Sequence, residues 1–274
     1  MQRLDAHCHF WRLDRADYGW LEGEGGPLHP IRRDFDPNDH PKGGPVIAVQ
    51  AAPTLAETDH LLSLAKTHPG IVGVVGWVDL SSGSAVADLE LRAQDTRFRG
   101  IRPMLQDIAQ TDWLITSPRA DALDALARLG LTFDALVTER HLPVLSRFVR
   151  QNPALPMVID HAAKPQPGDK SGWERGMKDL AAQGLHCKLS GLLTELSADE
   201  LRDPSAALMP IVEHLLDWFG PSRLIWGSDW PVLNLAGDYE AWLELTETLL
   251  EGLTNEERAA VMGGNAMRFY GVKP

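Results

Sequence analysis

Two histidines separated by a single residue, His7 and His9, are the first candidates for chemistry in this 274-residue chain. They lie in a short apolar run, residues 4–10, that is typical of a β-strand. Because strand side chains alternate between two faces, we expect the two imidazoles to share one face. There they could chelate one ion or hydrogen-bond one substrate group. The same alternation predicts Asp5 below them and gives the opposite face to Leu4, Ala6, Cys8 and Phe10.

Polar residues also stand near the ends of five later apolar runs, where a barrel core should carry branched apolar side chains. Asp160 falls on the helix-facing side, and no role is predicted for it. Two structural alternatives stay open, since Arg102 could pair with Asp134, and Lys188 with a neighbouring carboxylate. The inward-facing residues are predicted to be Arg102, Asp134, His161, Lys188 and Asp229.

Eight short β-rich runs alternate with helical patterns, which favours βα units and a parallel sheet. An open doubly wound sheet is disfavoured, because no glycine-rich phosphate loop follows the first strand. The prediction is therefore one (β/α)8 TIM barrel over residues 1–274, slightly irregular in its connections. The strands are predicted at 4–10, 46–52, 72–78, 99–104, 132–136, 157–161, 187–190 and 224–228. The helices are predicted at 54–68, 84–93, 121–129, 140–150, 172–183, 206–219, 239–251 and 255–261.

The connection after the first strand, residues 12–45, is unusually long and rich in glycine, proline and charge. A loop of that length inside a compact domain is usually functional. We expect it to form a lid or pocket wall over the active site, with a disordered insertion as the alternative.

Composition excludes several classes of function. No apolar stretch is long enough to span a membrane, and the first ten residues lack a signal-peptide core. A formal net charge of −12 disfavours nucleic acid as a partner. The two cysteines, Cys8 and Cys187, are predicted to be buried apolar residues without a disulfide. The expected location is the cytoplasm.

Several motifs together resemble the amidohydrolase superfamily, and more narrowly its sugar-lactone hydrolases of the L-fuconolactonase and L-rhamnonolactonase type. The resemblance runs from residue 3 to about residue 270. Three motifs carry the superfamily pattern: Leu-Asp-Ala-His-Cys-His-Phe-Trp at 4–11, Ile-Asp-His-Ala-Ala-Lys-Pro at 159–165 and Gly-Ser-Asp-Trp-Pro at 227–231. Further matches are Ala-Asp-Tyr-Gly-Trp at 16–20, Gly-Ile-Arg at 100–102, Leu-Gln-Asp at 105–107 and Cys-Lys-Leu-Ser-Gly at 187–191.

The resemblance implies a role for each matched residue. Asp229 would be the general base, and His7, His9 and His161 would line the reacting centre. Arg102 and Lys188 fall where such enzymes hold polar substrate groups. Further substrate-binding candidates are the donors Gln50 and Lys164, the aromatic residue Trp11, and Asp134; Tyr18, Trp20 and Trp230 offer additional aromatic faces.

The resemblance also raises the question of a metal ion. His7, His9 and Asp229 could hold zinc with a water as the fourth ligand. However, the fifth strand offers Asp134 where metal-dependent relatives carry a histidine. We therefore expect that no cofactor is required, although zinc could bind weakly at these three residues.

The predicted function is hydrolysis of a sugar lactone to the aldonic acid, with a small-molecule sugar lactone as the binding partner. One alternative is a zinc-dependent decarboxylase of the same superfamily. Another is a pyrone-dicarboxylate lactonase, which should need more arginines than Arg102 alone. A catalytically silent sugar-binding barrel is a third. The sequence leaves the oligomeric state open, a homodimer being one option.

Overall fold

The computed structural model describes residues 3–15 and 17–273. Met1, Gln2, Ala16 and Pro274 lie outside the described residues, so the first residue of the 16–20 motif is not placed. The predicted barrel is confirmed, since eight parallel strands pair in chain order from β1 to β8. The strands are β1 (Asp5–Cys8), β2 (Val46–Val49), β3 (Ile71–Gly76), β4 (Phe98–Ile101), β5 (Thr132–Ala135), β6 (Met157–Ile159), β7 (His186–Leu189) and β8 (Leu224–Trp226).

The barrel closes between its first and last strands. Cys8 forms a parallel bridge with Trp230, just beyond β8. Two backbone bonds complete the seam: Asp229 N–H donates to the His7 carbonyl at 2.8 Å, and His9 N–H donates to the Trp230 carbonyl at 2.7 Å. Closure therefore places the first-strand histidines beside Asp229.

Within the described part of the chain, ten α-helices surround the strands, and their bounds agree with most of the predicted helices to within a few residues. Thr254 and Glu257 form a capping box at the start of α9. The short α3 and α10 were not predicted. The helices are α1 (Leu55–Thr67), α2 (Ala85–Arg92), α3 (Trp113–Thr116), α4 (Ala120–Arg128), α5 (Leu142–Gln151), α6 (Ser171–Ala182), α7 (Pro204–Phe219), α8 (Tyr239–Leu249), α9 (Asn255–Ala259) and α10 (Asn265–Phe269).

The predicted facing of β1 is wrong in its first half. Asp5 pairs with Val46 and Cys8 with Ala48, so three steps along β1 match two along β2. This bulge inserts one extra residue and breaks the alternation of side chains. Leu4 and Ala6 consequently pack in the barrel interior with Ile47, Val49, Val75, Val158 and Ile225. Asp5 instead hydrogen-bonds the outer-layer residue His40 at 3.2 Å.

The chain turns sharply where β6 ends. Four consecutive residues, His161 to Lys164, have φ between 48° and 58°. Each left-handed non-glycine residue costs about 1–2 kcal/mol, so the surrounding structure must hold the turn in place. The Trp173 indole does so by donating to the Ala162 carbonyl at 2.7 Å. The prediction that Asp160 points towards the helices is also wrong, because the strand alternation ends at Ile159 and Asp160 points towards Lys188.

The long connection after β1 lies against the carboxyl ends of the strands as short 3-10 turns. The Trp20 indole donates to the Ala51 carbonyl at 2.8 Å, and the Tyr18 hydroxyl donates to Glu57 at 2.6 Å. Trp11 packs edge-on against both Trp20 and Phe35. These contacts fasten Trp20 to the loop between β2 and α1, and Tyr18 to the first turn of α1.

Two predictions from composition also find support in the structure. Cys8 and Cys187 are buried free thiols, as expected. Within residues 3–15 and 17–273, no helix combines the length and the apolar character that crossing a bilayer requires.

Candidate active site

The structure brings one carboxylate and three imidazoles together at the carboxyl ends of β1, β6 and β8. Asp229 Oδ1 lies 3.2 Å from His9 Nε2, 3.7 Å from His7 Nε2 and 3.9 Å from His161 Nε2. All four side chains are buried. The four residues predicted to be catalytic therefore form a single cluster.

The backbone conformation at Asp229 and at Gly191 allows these four side chains to lie close together. Asp229 itself has a φ of 59°, a left-handed conformation that turns its carboxylate towards the histidines. Gly191, after β7, has a φ of 61°, and a Cβ at this position would lie 2.5 Å from His161 Nδ1 and 3.0 Å from Asp229 Oδ2. The glycine of the Cys-Lys-Leu-Ser-Gly motif is thus required by the space that His161 and Asp229 occupy.

The neighbours of His9 show which ring nitrogen carries the proton and which one faces the Asp229 carboxylate. His9 Nδ1 lies 2.8 Å from the Val49 carbonyl, which can only accept, so Nδ1 carries a proton. In the neutral ring, Nε2 would then point a lone pair at Asp229. A proton or a cation between the two atoms converts this contact into an attractive one.

Beneath the cluster, Lys188 is fully buried between two carboxylates and His7. Its ammonium lies 2.6 Å from Asp134 Oδ2, 2.9 Å from Asp160 Oδ1 and 3.0 Å from His7 Nδ1. Tyr270 also donates to Asp134, at 2.6 Å. The open alternative that Lys188 pairs with neighbouring carboxylates therefore holds in the structure.

Lys188 and Arg102 both only donate, but Lys188 lies closer to His7 Nδ1, at 3.0 Å, than Arg102 lies to Nε2, at 3.4 Å. We therefore infer that Nδ1 accepts from Lys188 and that the ring keeps its proton on Nε2. Nε2–H then points towards Asp229 and the cavity. The lysine thus selects the tautomer of the histidine, as outer partners commonly do for active-site imidazoles.

The contacts of Arg102 differ from the pair with Asp134 that the sequence left open. Its guanidinium donates to the Gln50 carbonyl and lies 3.4 Å from His7 Nε2. Asp160, 4.0 Å away, is its ion-pair partner in place of Asp134. The Gln50 amide in turn donates to the Arg102 carbonyl at 2.7 Å, so the two residues lock the ends of β2 and β4 together.

A cavity of about 220 Å³ opens above the cluster. Of the predicted substrate-binding residues, Arg102 and Lys164 line it, whereas Gln50, Asp134, Lys188 and Trp11 are fully buried behind its wall. Among the described aromatic side chains that were predicted to meet a sugar ring, Trp20 reaches the cavity. The lining consists of His9, Trp20, Leu28, Ala51, Arg102, Met104, Gln106, Asp107, Leu136, His161, Lys164, Asp229, Val232 and Leu235.

Sequence reasoning missed several contributors to the site, among them Asp160, Tyr270 and Leu28. Asp160 was assigned to the wrong face, although it belongs to the quoted Ile-Asp-His motif, which was a signal in its favour. Tyr270 lies far along the chain in an apolar segment, and no sequence pattern marks it. Leu28 belongs to the long connection, whose length predicted a pocket wall without identifying which residues form it.

Burial and neighbouring charges set the protonation states. Burial alone would raise the pKa of Asp229, but the surrounding histidines outweigh it and lower that pKa below its ordinary value. Burial lowers the pKa of His161, and burial together with Lys188 lowers that of His7. Burial opposes the charge on Lys188, yet Asp134 and Asp160 raise its pKa. Asp229 and Lys188 are therefore charged at neutral pH, while His7 and His161 are neutral.

The donor set fits a divalent cation. His7, His9 and Asp229 present ligand atoms within 4.8 Å of one another. Zinc bonds of about 2.0–2.2 Å in a tetrahedron place neighbouring ligand atoms about 3.3 Å apart, close to the 3.2 and 3.7 Å measured here. The proton on His7 Nε2 is the feature that a metal would have to displace.

Comparison with known proteins agrees with this geometry. A family profile described as amidohydrolase matches residues 4–272. An L-fucono-1,5-lactonase of Burkholderia ambifaria is 47% identical, over 98% of this chain and 95% of that protein. An L-fucono-1,5-lactonase of Burkholderia multivorans is 37% identical over the same shares. A crystal structure of a Burkholderia multivorans amidohydrolase with bound zinc superposes with a TM-score of 0.87 at 37% identity, over 100% of both chains. The chain belongs to the amidohydrolase family.

Proposed function

We propose that the chain is a carboxylic ester hydrolase that opens a neutral aldonolactone of the L-fucono-1,5 type to the aldonic acid. The observation that carries the proposal is that the Asp229 carboxyl group lines the cavity and lies within 3.9 Å of three imidazole Nε2 atoms. A carboxylate base beside hydrogen-bond donors is what ester hydrolysis requires. The two lactonases at 47% and 37% identity support the substrate class.

In the proposed mechanism, Asp229 accepts a proton from water while the water oxygen bonds to the lactone carbonyl carbon. The tetrahedral oxyanion that forms accepts hydrogen bonds from His7 Nε2–H and the Arg102 guanidinium. When the bond between that carbon and the ring oxygen breaks, the proton on Asp229 passes to the leaving oxygen. Losing one donor to an oxyanion typically costs about 2.7–4 kcal/mol of barrier.

The buried predicted residues act in this proposal through their neighbours. Lys188 sets the His7 tautomer, Asp134 and Asp160 fix Lys188, and Gln50 fixes Arg102. Trp11 supports Trp20, whose indole forms part of the cavity wall. Residues 12–45 would thereby serve as the lid predicted from their length.

A neutral substrate is favoured over a pyrone dicarboxylate. Arg102 and Lys164 are the cationic side chains in the cavity lining, and Lys164 already pairs with Glu195 at 3.1 Å. Asp107 adds a negative charge to the same wall. Two substrate carboxylates would thus meet few unpaired cations.

We also propose that the reaction requires no metal. If zinc binds, His7, His9 and Asp229 would hold it, and it would supply Lewis-acid polarisation of the lactone carbonyl. Without it, the Lys188 contact leaves His7 as a donor, and Asp229 remains ionised as the base. The expected result is that dialysis against a chelator leaves turnover unchanged; loss of turnover that zinc restores would contradict this.

The test of the function is a pH-indicator assay on a panel of 1,4- and 1,5-aldonolactones. We expect acid release with L-fucono-1,5-lactone, and near-complete loss in Asp229→Asn, which keeps the shape of the side chain but removes its basicity. Circular dichroism of the variant should match that of the wild type. Carbon dioxide release from a carboxylated aromatic acid would instead favour the decarboxylase alternative, and wild-type-like turnover in Asp229→Asn would remove Asp229 from the mechanism.

A further inference from the structure

One wall of the cavity is a short irregular segment that follows β4. Met104, Gln106 and Asp107 from this segment line the cavity, next to Arg102. Residues Leu105–Asp107 form a single 3-10 turn, and Leu105 is the buried anchor within it. The segment has no strand or long helix of its own to hold it until α3 begins at Trp113.

The Arg140 side chain, from the neighbouring β5–α5 loop, makes four hydrogen bonds to this segment and to the residues that follow it. Arg140 donates from Nη2 to the carbonyls of Gln106 at 3.2 Å and Ile108 at 2.8 Å. From Nη1 it donates to the Ala109 carbonyl at 3.2 Å and the Thr111 hydroxyl at 2.7 Å. The four N–H groups on its two terminal nitrogens thus match four acceptors.

The backbone on which Arg140 sits is itself fixed. It lies in the turn Glu139–His141, which leads directly into α5. His141 Nδ1 lies 3.1 Å from both the backbone nitrogen and the hydroxyl of Thr138 and so closes that turn. The guanidinium is therefore presented to the irregular wall from a turn that its own hydrogen bonds close.

We propose that Arg140 is a specificity-determining positioning residue that holds Gln106 and Asp107 where they read the hydroxyl groups of the lactone. Asp107 offers hydrogen-bond acceptors and Gln106 offers both a donor and an acceptor, which suits a polyhydroxylated neutral ring. The Asp107 carboxylate also disfavours a second negative charge on the substrate. This inference rests on the proposed lactone hydrolysis and adds how the hydroxyl pattern is recognised.

Lysine cannot replace this arginine. A lysine ammonium donates from one point, whereas the planar guanidinium spreads its donors over four acceptors in a fixed geometry. Arg140→Lys should therefore behave like Arg140→Ala, although it keeps the charge. Arg128→Ala is the matched control, because Arg128 is an exposed arginine that pairs with Glu90 at 2.7 Å on the helical surface.

The experiment compares L-fucono-1,5-lactone with δ-valerolactone, a six-membered lactone without hydroxyl groups. We expect Arg140→Ala and Arg140→Lys to raise KM for the sugar lactone about tenfold, the size expected for one hydrogen bond to a charged group. For both variants kcat should stay within about twofold, and kcat/KM for δ-valerolactone should stay unchanged. Arg128→Ala should match the wild type on both substrates.

A double-mutant cycle tests whether Arg140 acts through the wall. Asp107→Asn should raise KM for the sugar lactone in the wild type and have little further effect in Arg140→Ala. Full additivity, an unchanged KM in Arg140→Ala, or an equal loss on both lactones with a lowered Tm would each overturn the proposal. A wild-type enzyme that hydrolyses neither lactone would refute the proposed function instead.

Discussion

At the scale of single residues, the chemistry of the site depends on which ring nitrogen of each histidine carries a proton. The Val49 carbonyl fixes the proton on Nδ1 of His9, and the Lys188 ammonium fixes the proton on Nε2 of His7. Two histidines two positions apart on one strand therefore have opposite tautomers when neutral. The tautomers follow from the partners of each ring, which the spacing of the pair does not reveal.

The acid side of the pH–rate profile should report Asp229. An Asp229 that acts as base must be ionised, and the lowered pKa keeps it ionised well below neutral pH. The pKa of His161 is also lowered, so that ring should stay neutral over the same range. An ordinary aspartate has a pKa of about 3.9, and the pKa of Asp229 is lower than that. We therefore expect kcat/KM to be flat from about pH 8 down to about pH 5.

The measurement is initial rates in mixed buffers, with the spontaneous hydrolysis of the lactone subtracted at each pH. A fall in kcat/KM centred near pH 6.5 would point to a histidine as the base. That outcome would contradict the assignment of Asp229.

At the scale of elements, the connection after β1 is held by a buried carboxyl group at the start of α1. Glu57 accepts from the Tyr18 hydroxyl at 2.6 Å and from the Ala51 N–H at 3.2 Å, with Arg15 3.7 Å away. Burial raises the pKa of Glu57 to about 7, although its hydrogen bonds oppose the shift. The fastening of Tyr18 is therefore coupled to a proton.

The sign of this coupling follows from linkage. Between the ordinary value of 4.5 and about 7, the folded chain binds more protons at Glu57 than the unfolded chain does. Stability should thus decrease as the pH rises through that window, by about 3 kcal/mol if Glu57 acts alone, since each pKa unit corresponds to about 1.4 kcal/mol. Glu57→Gln should remove this decrease, since the amide can pair with both Tyr18 and Ala51 without titrating.

Urea unfolding at several pH values between about 4.5 and 8 provides the measurement. The wild type and Glu57→Gln should differ in the pH dependence of the unfolding free energy. Tyr18→Phe is a useful companion, because it keeps the ring and removes the hydroxyl. Parallel pH curves for wild type and Glu57→Gln would show that Glu57 does not titrate in this window.

The same scale shows which parts of the fold could be predicted. Regular strands and helices follow from periodicity, so the barrel and most element bounds were correct. The side-chain direction was predicted wrongly in two places. Asp5 and its neighbours lie at the bulge in β1, and Asp160 lies where the left-handed turn after β6 begins. Both features depend on contacts with distant segments, such as Trp173 on Ala162, which no local pattern contains.

The candidate site was predictable to a similar degree. The polar residues at the strand ends do converge, because a closed barrel brings the carboxyl ends of its strands to one rim. Whether a residue faces the cavity or lies behind it was not predictable. Lys188 and Arg102 both stand at strand ends, yet one is sealed between carboxylates and the other reaches the cavity.

At the scale of the whole molecule, the site is assembled by closing the barrel. The seam joins His7 and His9, near the start of the chain, to Asp229. Arg102 and His161 follow the ends of β4 and β6, and Lys188 lies in β7. Within the buried set, Lys188 and Arg102 face the carboxylates Asp134, Asp160 and Asp229. The site thus carries no excess of positive charge, and the chain as a whole carries a formal −12.

This charge distribution separates a neutral substrate from an anionic one. A protein with a charge of −12 repels anions over a distance that shrinks from about 30 Å at 0.01 M salt to about 10 Å at 0.1 M. A neutral lactone does not experience this field, so its kcat/KM should change by less than about twofold over that range. The aldonate product is an anion, so its inhibition should strengthen as added salt screens the repulsion. Initial rates with L-fucono-1,5-lactone at increasing sodium chloride, with and without added aldonate, test both statements. Inhibition that weakens steeply with salt would reveal a cationic attraction at the cavity, as a dicarboxylate site would need, and would count against a neutral sugar lactone as substrate.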